Sequence, residues 1–412
     1  MGIRVVVVDD NPHVRWEGRV YPVNATFHRF LSAVLDVPGQ NGSPAIAEIV
    51  HCVPLREATE PPGTLPLDQR LRVVGTAPFD GIAGYLRHLP GLTRANRPIL
   101  RGAIGAADLV WIKVPASNAI LAVAVARRAG VPRFTYVAGR ARDVARAQAR
   151  RGWGRLAAVI VGAIYDGIGR VAAAGGDRVV VGERLGSGGI VTSLVAPDEI
   201  RAVDGLPWPA EPGRLRLAWA GRVADGKGLP ELLEAVAGMK APTAGDPMAS
   251  EVTLRMIGDG PARAALERLA ADLGVAGSIE WSGYIAERTA YLAAFSDLDL
   301  FVFPSPAEGF PKVVLDAMAL GLPVVARPSG FLRELAELDL IESIGPGTPG
   351  AGPSTSSDAS AAIVKAIGGL VADAPRARRL RGAGTAFAQD HTAAAEASRL
   401  VAHWRLRFPA LF

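Results

Sequence analysis

A chain of 412 residues, 49% apolar and 21% charged, is long enough for about two to three domains that each bury a core, and this composition excludes a disordered or collagen-like protein. Its 45 Lys and Arg against 40 Asp and Glu leave a formal net charge of +5, and no basic run is interleaved with aromatics, so nucleic acid is not an expected partner. The single cysteine, Cys52, excludes disulfides within the chain and argues against a zinc cluster, which fits a reducing compartment.

The first predicted strand, Ile3–Val8, starts almost at once, with no basic-then-apolar leader before it, so no signal peptide is expected. Further strands are predicted at Ala47–Val53, Leu71–Gly75, Asp108–Val114, Arg133–Val137 and Arg178–Val181. Helices are predicted at Asn24–Leu35, Thr93–Ala106, Asn118–Ala129 and Trp153–Ala174. This alternation predicts an α/β, doubly wound parallel sheet, whose carboxyl edge is where such sheets bind ligands. Asp9 to Arg19 reads as the loop after the first strand and contains His13; His28 follows in the first helix. Lys113 ends an apolar strand with Asn118 close behind, and Tyr136 to Asp143 ends another. His13, His28, Lys113 and Asn118 are the candidates for contact with an acceptor substrate. Arg140, Arg142, Arg146, Arg150 and Arg151 recur at roughly helical intervals, either as a solvated face or as a stripe for anionic lipid. The longest apolar helix, Leu156 to Ile168, is too short to span a bilayer and carries Asp166. A cytoplasmic protein is expected, with peripheral contact at the inner membrane face left open.

Gly182 to Gly189 is glycine-rich but lacks the G-x-G-x-x-G spacing of a dinucleotide site and reads as a turn. The proline-rich Pro197 to Pro212 reads as an interdomain linker, dividing an N-terminal domain over 1–200 from a second over 213–390. The second half repeats the rhythm. Leu215–Ala220 is a strand, followed by Gly221-Arg222-Val223-Ala224-Asp225-Gly226-Lys227-Gly228 and a helix from Leu229. The loop matches the G-x4-G-K spacing of a P-loop, but Gly228 lacks the hydroxyl that magnesium needs there. Val252–Ile257 leads into Gly258-Asp259-Gly260-Pro261, and Ser278–Ser282 leads into Gly283-Tyr284-Ile285. Asp297-Leu298-Asp299 has the spacing of a metal-binding D-x-D but precedes a buried strand, where an acid caps or turns the chain.

The most informative stretch is Pro304 to Ala326. An apolar strand, Leu298–Phe303, enters a loop with Glu308; Pro311 suits the first helical position, and Gly321 with Pro323 stops the helix before the strand Pro323–Ala326. Glu308 and Asp316 then flank a helix N-terminus whose free N–H groups favour an anion. Phosphate at the helix start and hydroxyls on the acids fit a sugar nucleotide. The chain has only five lysines, Lys113, Lys227, Lys240, Lys312 and Lys365, and two of them fall inside these motifs. Gly345 to Asp358 reads as a loop, and Ala393 to Phe408 as a terminal helix.

Glu308-Gly309-Phe310-Pro311 with the acid at Asp316 resembles the E-x7-E signature of retaining glycosyltransferases of the GT-B fold, family 4, with Asp in place of the second Glu. The strand, Arg222–Lys227 loop and helix, the Gly258-Asp259-Gly260-Pro261 turn and the glycine turn at Gly283 resemble the same family, densely over Leu215 to Phe331. The resemblance implies two Rossmann-like domains facing a cleft, and residues 391–412 as a helix crossing back to the first domain. It implies Glu308, Arg222 and Lys227 as catalytic, the two cations gripping the donor diphosphate with no metal and no cofactor. It implies donor contacts from Gly18, Gly258, Ile285, Gly309, Phe310, Pro311, Lys312 and Val313, with Asp316 on the ribose. The implied activity is retaining transfer from a nucleotide-diphosphate sugar, UDP before GDP, to a hydroxyl of a saccharide, lipid-linked or natural-product acceptor. A sugar-nucleotide epimerase and a non-catalytic nucleotide-sugar-binding partner subunit stay open as alternatives.

Overall fold

The computed structural model describes residues 2–23, 26–39, 42–138, 153–181, 189–203, 205–211, 213–240, 251–308, 310–345 and 356–412. The arginine stripe from Arg140 to Arg151, most of the Gly182–Gly189 patch, Asn24, Gly309 and most of the Gly345–Asp358 loop fall outside these residues. The chain forms two compact units, Met1–Leu194 with Ala393–Phe412, and Val195–Thr392.

The first unit holds an eight-stranded sheet: β1 (Ile3–Val8), β2 (His13–Trp16), β3 (Arg19–Pro22), β4 (Ile46–Glu57), β5 (Leu71–Thr76), β6 (Leu109–Val114), β7 (Arg133–Val137) and β8 (Asp177–Val180). Its order is β3-β2-β4-β1-β6-β7-β8, with β5 also on β4. Among the described strand pairs of this unit only β2–β3 is antiparallel. The central strands are continuous Val/Ile runs because both faces are covered: Val5 to Val8 of β1 and Leu109 to Ile112 of β6 are buried. The chain leaves β1 towards β4 on one side and reaches β6 on the other, so the carboxyl ends of β1 and β6 form the topological switch point.

The predicted loop after β1 is instead a β-hairpin. His13–Trp16 pairs with Arg19–Pro22 across a two-residue turn in which Glu17 and Gly18 have φ of +47° and +75°. Positive φ at both positions is the geometry of a tight hairpin turn, and it explains the glycine. Gly18, expected to approach the donor diphosphate, is thus exposed at a turn tip rather than lying in a loop at the strand's end. The hairpin also explains why β4 runs on to Glu57, since Leu55 to Glu57 pair with β2. The helix predicted at Thr93–Ala106 has a different start. That helix begins at Leu89, with its proline in the first turn, rather than at Thr93.

The second unit holds a six-stranded parallel sheet: β9 (Arg214–Ala220), β10 (Glu251–Ile257), β11 (Ile279–Gly283), β12 (Leu300–Phe303), β13 (Val324–Ala326) and β14 (Glu342–Ser343), in the order β11-β10-β9-β12-β13-β14. The predicted linker Pro197–Pro212 is part of this unit rather than a spacer. Trp208 is buried and donates Nε1–H to the Asp299 carbonyl at 2.9 Å, and Arg201 N–H donates to Ala319 O at 2.8 Å. Asp299, the second acid of the D-x-D, accepts from the Ala210 and Arg216 backbone amides, and Asp297 pairs with Arg255, so both acids hold structure. Among the described residues no helix is long and apolar enough to cross a membrane.

Candidate active site

Four turns meet at the carboxyl edge of the second sheet, and their glycines let them touch. Gly221 N–H donates to Ile257 O, Val223 N–H to Asp259 O, and Gly258 N–H to Gly283 O, at 2.8 to 3.0 Å. A methyl group on Gly258, at φ +131°, would lie 1.9 Å from Gly221 O. The motifs after β9, β10 and β11 are therefore one hydrogen-bonded platform. The loop after β12 completes it. Gly228 abuts Pro304, and Arg327, just past β13, donates Nε–H to Pro304 O at 3.4 Å.

On this platform Lys227 Nζ donates to Glu308 Oε1, which also accepts from Ser305 Oγ at 2.8 Å. The side chains of Lys227 and Glu308 are 21% and 17% exposed, so the pair is partly desolvated yet reachable. Two of the three residues expected to be catalytic are thereby in direct contact. Arg222 is exposed on the same loop and forms no ion pair with the described residues. Pro311 precedes the helix Lys312–Ala319 as its cap residue, not as its first helical residue. First-turn amides of a helix lack intrahelical acceptors, but Val314 N–H already donates to Pro311 O at 3.0 Å, which removes it from the anion-binding set expected there. Phe310 packs on Phe331 with centroids 4.4 Å apart, anchoring the loop just before the helix. Ile285 is half-buried beyond β11, next to the exposed Tyr284.

Asp316, expected on the ribose, is engaged within the protein. It is buried on the helix, where Oδ1 accepts from Arg288 Nη2 at 2.7 Å and Oδ2 from the Tyr291 hydroxyl at 3.2 Å. Arg288 also grips Glu199 with two hydrogen bonds, at 3.0 and 2.8 Å. These contacts tie the helix beside Glu308 to Arg288 and Tyr291. Arg288, Tyr291, Glu199 and Arg327 were not singled out from sequence, because none lies in a motif and each meets its partner only through the fold.

In the first unit the expected acceptor residues lie near the carboxyl ends of β1 and β6, but mostly inside. Lys113 Nζ donates to both Asp9 oxygens, at 3.0 and 3.1 Å, and sits 4.2 Å over the Phe27 ring. Burial alone would raise Asp9, but Lys113 and His51 hold its carboxyl well below the usual range. Burial pushes Asp10 up to about 6, against the Ser117 hydrogen bond and with Asp9 adding to the rise. His13 and His28 are buried against each other, Nε2 to Nε2 at 2.8 Å, and are not surface contacts as expected. Burial lowers both, His13 to about 4. Asn118 is buried too, its Oδ1 accepting from Asn96 Nδ2 at 3.1 Å. Lys113 is the expected acceptor residue that keeps some exposure, at 20% of its side chain.

Residues 214–373 match the family model described as glycosyl transferases group 1. A lipopolysaccharide core biosynthesis glycosyltransferase, LpsE, of Rhizobium meliloti is 36% identical over 129 residues, covering 30% of this chain and 34% of that protein. A 2-deoxystreptamine N-acetyl-D-glucosaminyltransferase of Streptomyces fradiae is 29% identical over 234 residues, covering 56% of this chain and 51% of that protein. The matches thus span about a third to a half of these relatives' length. Among solved structures, WaaG, a glycosyltransferase involved in lipopolysaccharide biosynthesis, superposes with a TM-score of 0.60 at 14% identity over 98% of this chain and 99% of its own. Anabaena HepE, in complex with UDP-glucose, gives 0.57 at 14% over 97% and 98%. The structural likenesses agree with the two α/β units, each built on a mainly parallel sheet. The chain has the GT-B fold, and its residues 214–373 match the model of the group 1 glycosyl transferases.

Proposed function

We propose that this chain transfers a sugar, with retention, from a nucleotide-diphosphate donor to a hydroxyl of a saccharide, lipid-linked or natural-product acceptor, and that no metal assists at the diphosphate. The observation that carries this reading is the Lys227–Glu308 pair, seated on the turn platform beside the start of the helix Lys312–Ala319. Departure of a nucleoside diphosphate develops negative charge on its phosphate oxygens. A fixed ammonium and the positive end of a helix stabilise that charge without reorganising. Lys227 holds Glu308 until a donor arrives; the diphosphate then competes for the ammonium and frees the carboxylate for donor sugar hydroxyls. Arg222, exposed on the same loop, and Arg327 supply further positive charge to the diphosphate, and Gly258, Phe310, Pro311, Lys312 and Val313 shape the donor bed. Ile285 borders the base. UDP is preferred over GDP, in line with the neighbour described with UDP-glucose. Lys113, at the switch point of the first sheet, is the acceptor-side contact.

A screen of UDP- and GDP-sugars by thermal shift identifies the donor, since a ligand of the native state raises Tm by mass action. With that donor, Lys227→Ala should lose about 100- to 1000-fold in kcat, the scale for removing one preorganised charge-stabilising group. Unchanged transfer by Lys227→Ala would overturn the reading. Epimerised donor formed with no acceptor present would favour an epimerase, and binding without turnover on any acceptor a partner subunit.

A further inference from the structure

Three of the chain's six histidines, His13, His28 and His51, meet inside the first unit. They come from three elements: β2, the helix Thr26–Leu35 and β4. Their exposures are 0%, 5% and 0%. One candidate ligand nitrogen from each ring lies within 4.8 Å of the others. A buried polar nitrogen is costly unless it finds a partner, so a trio of imidazoles in a core calls for a reason.

Their hydrogen bonds satisfy only part of the trio. His13 Nδ1 lies 2.7 Å from Asn11 O; a carbonyl only accepts, so Nδ1 carries the hydrogen and Nε2 presents its lone pair inward. That nitrogen faces His28 Nε2 at 2.8 Å. His28 Nδ1 and both nitrogens of His51 have no hydrogen-bond partner among the described residues. A histidine whose Nδ1–H is fixed on a backbone carbonyl is the usual supporting arrangement for a metal-ligating ring, and a carboxylate beside a second ring is the other common one. Asp9 Oδ2 lies 3.7 Å from His51 Nε2, a carboxylate beside that ring but beyond hydrogen-bond distance. Both Asp9 oxygens are committed to Lys113, so the three imidazoles make up the ligand set.

We propose that His13, His28 and His51 form a buried site for one divalent transition-metal ion, zinc by ligand type, that fastens the β2–β3 hairpin and the first helix to β4. Neutral imidazole suits zinc, cobalt, nickel and copper, and three such ligands with no thiolate or free carboxylate disfavour calcium and magnesium. Zinc–nitrogen bonds of about 2.0–2.1 Å in a tetrahedral shell set two ligand nitrogens about 3.3 Å apart. The Nε2–Nε2 contact therefore opens by about half an ångström to admit the ion. The site takes no part in the donor chemistry proposed above, whose residues all lie in the second unit.

The full-length chain expressed in cobalt- or zinc-supplemented medium tests this. After desalting, about one metal per chain is expected, with visible absorption from imidazole-bound cobalt and a Tm several degrees above that of chelator-stripped protein. His28→Asn and His51→Asn should each lose the metal and the cobalt spectrum, whereas His88→Asn, at an exposed site, should keep both. Metal content well below one per chain in the wild type overturns the proposal, as does a cobalt spectrum that survives in both variants. Should both variants fail to fold, X-ray absorption of the wild type decides: three imidazole ligands support the site, and fewer sink it.

Discussion

Asp10 shows how burial of one carboxyl writes a pH dependence into the fold. Its Oδ2 accepts from Ser117 N–H at 2.5 Å, while Oδ1 has no hydrogen-bond partner among the described residues. Burial raises its pKa from 3.8 to about 6, opposed by Ser117 and by Lys113, and reinforced by Asp9. The folded state therefore holds this proton more tightly than the unfolded chain does. Between the two pKa values the folded state binds more protons, so stability falls as pH rises from about 4 to 6. The loss is at most about 3 kcal/mol, from roughly two pKa units at 1.36 kcal/mol each. Asp9 acts in the opposite sense, since its lowered pKa gives stability that disappears on acidification. Asn at position 10 mimics the protonated acid and removes the first term alone. Asp10→Asn should match the wild type in Tm near pH 4 and exceed it by several degrees at pH 7.5; an equal Tm at pH 7.5 would show that Asp10 is not destabilised by burial. The Lys227–Glu308 contact joins two residues that the sequence already singled out, because both sit inside spaced motifs. The engagement of Asp316 was not legible there, because Arg288 lies 28 residues away in the chain and no pattern links them.

At the level of elements, local chemistry carried most of the information. Ile3–Val8 and Arg133–Val137 coincide with their predicted bounds, because apolar β-branched runs between turn residues have few other ways to fold. The β2–β3 hairpin was missed because its turn is Glu17-Gly18 rather than the Asn-Gly or Asp-Gly that usually marks such a turn. Pro197–Pro212 was misread because proline density marks a linker only where nothing buries the segment, and Trp208 is buried. The glycine turns were read as motifs, but what they do needed coordinates: they bring three backbones into hydrogen-bond contact. That role makes a sharp prediction. Gly258→Ala sets a methyl 1.9 Å from Gly221 O at a φ that disfavours any side chain, so the two loops must part. It should lower Tm clearly and abolish the donor-induced thermal shift. Gly277→Ala, where the added methyl meets nothing within 4 Å, should change neither. A Gly258→Ala protein that still responds to donor would mean that the platform is not what shapes the donor bed.

For the molecule as a whole, the chain's last segment decides how the first unit is completed. Ala393–Arg407 is a helix of the first unit although the second unit precedes it in sequence. Its attachments are specific. Trp404 is fully buried, edge-on to Trp111 and Phe134 at centroid distances of 5.4 and 5.7 Å. Glu396, also buried, accepts from Val191 N–H at 2.7 Å and pairs with Arg399. Arg407 reaches Asp177 at 3.0 Å, and Arg405 reaches Pro38 O at 2.9 Å. Apolar burial dominates these terms, because the exposed ion pairs contribute only tenths of a kcal/mol each. Replacing a fully buried tryptophan by alanine costs about 3–5 kcal/mol in lost transfer energy and cavity. For a unit of this size, each kcal/mol moves Tm by about 2–4 °C. Trp404→Ala should therefore lower Tm by roughly 10 °C, whereas Leu406→Ala, at a side chain 79% exposed, should leave it within a degree or so. The increment in Tm on adding donor should persist in Trp404→Ala, because every donor contact proposed above belongs to the second unit. A Trp404→Ala protein as stable as the wild type would show that the terminal helix rests on the first unit without completing its core; loss of the donor response would show that donor binding depends on the first unit's integrity.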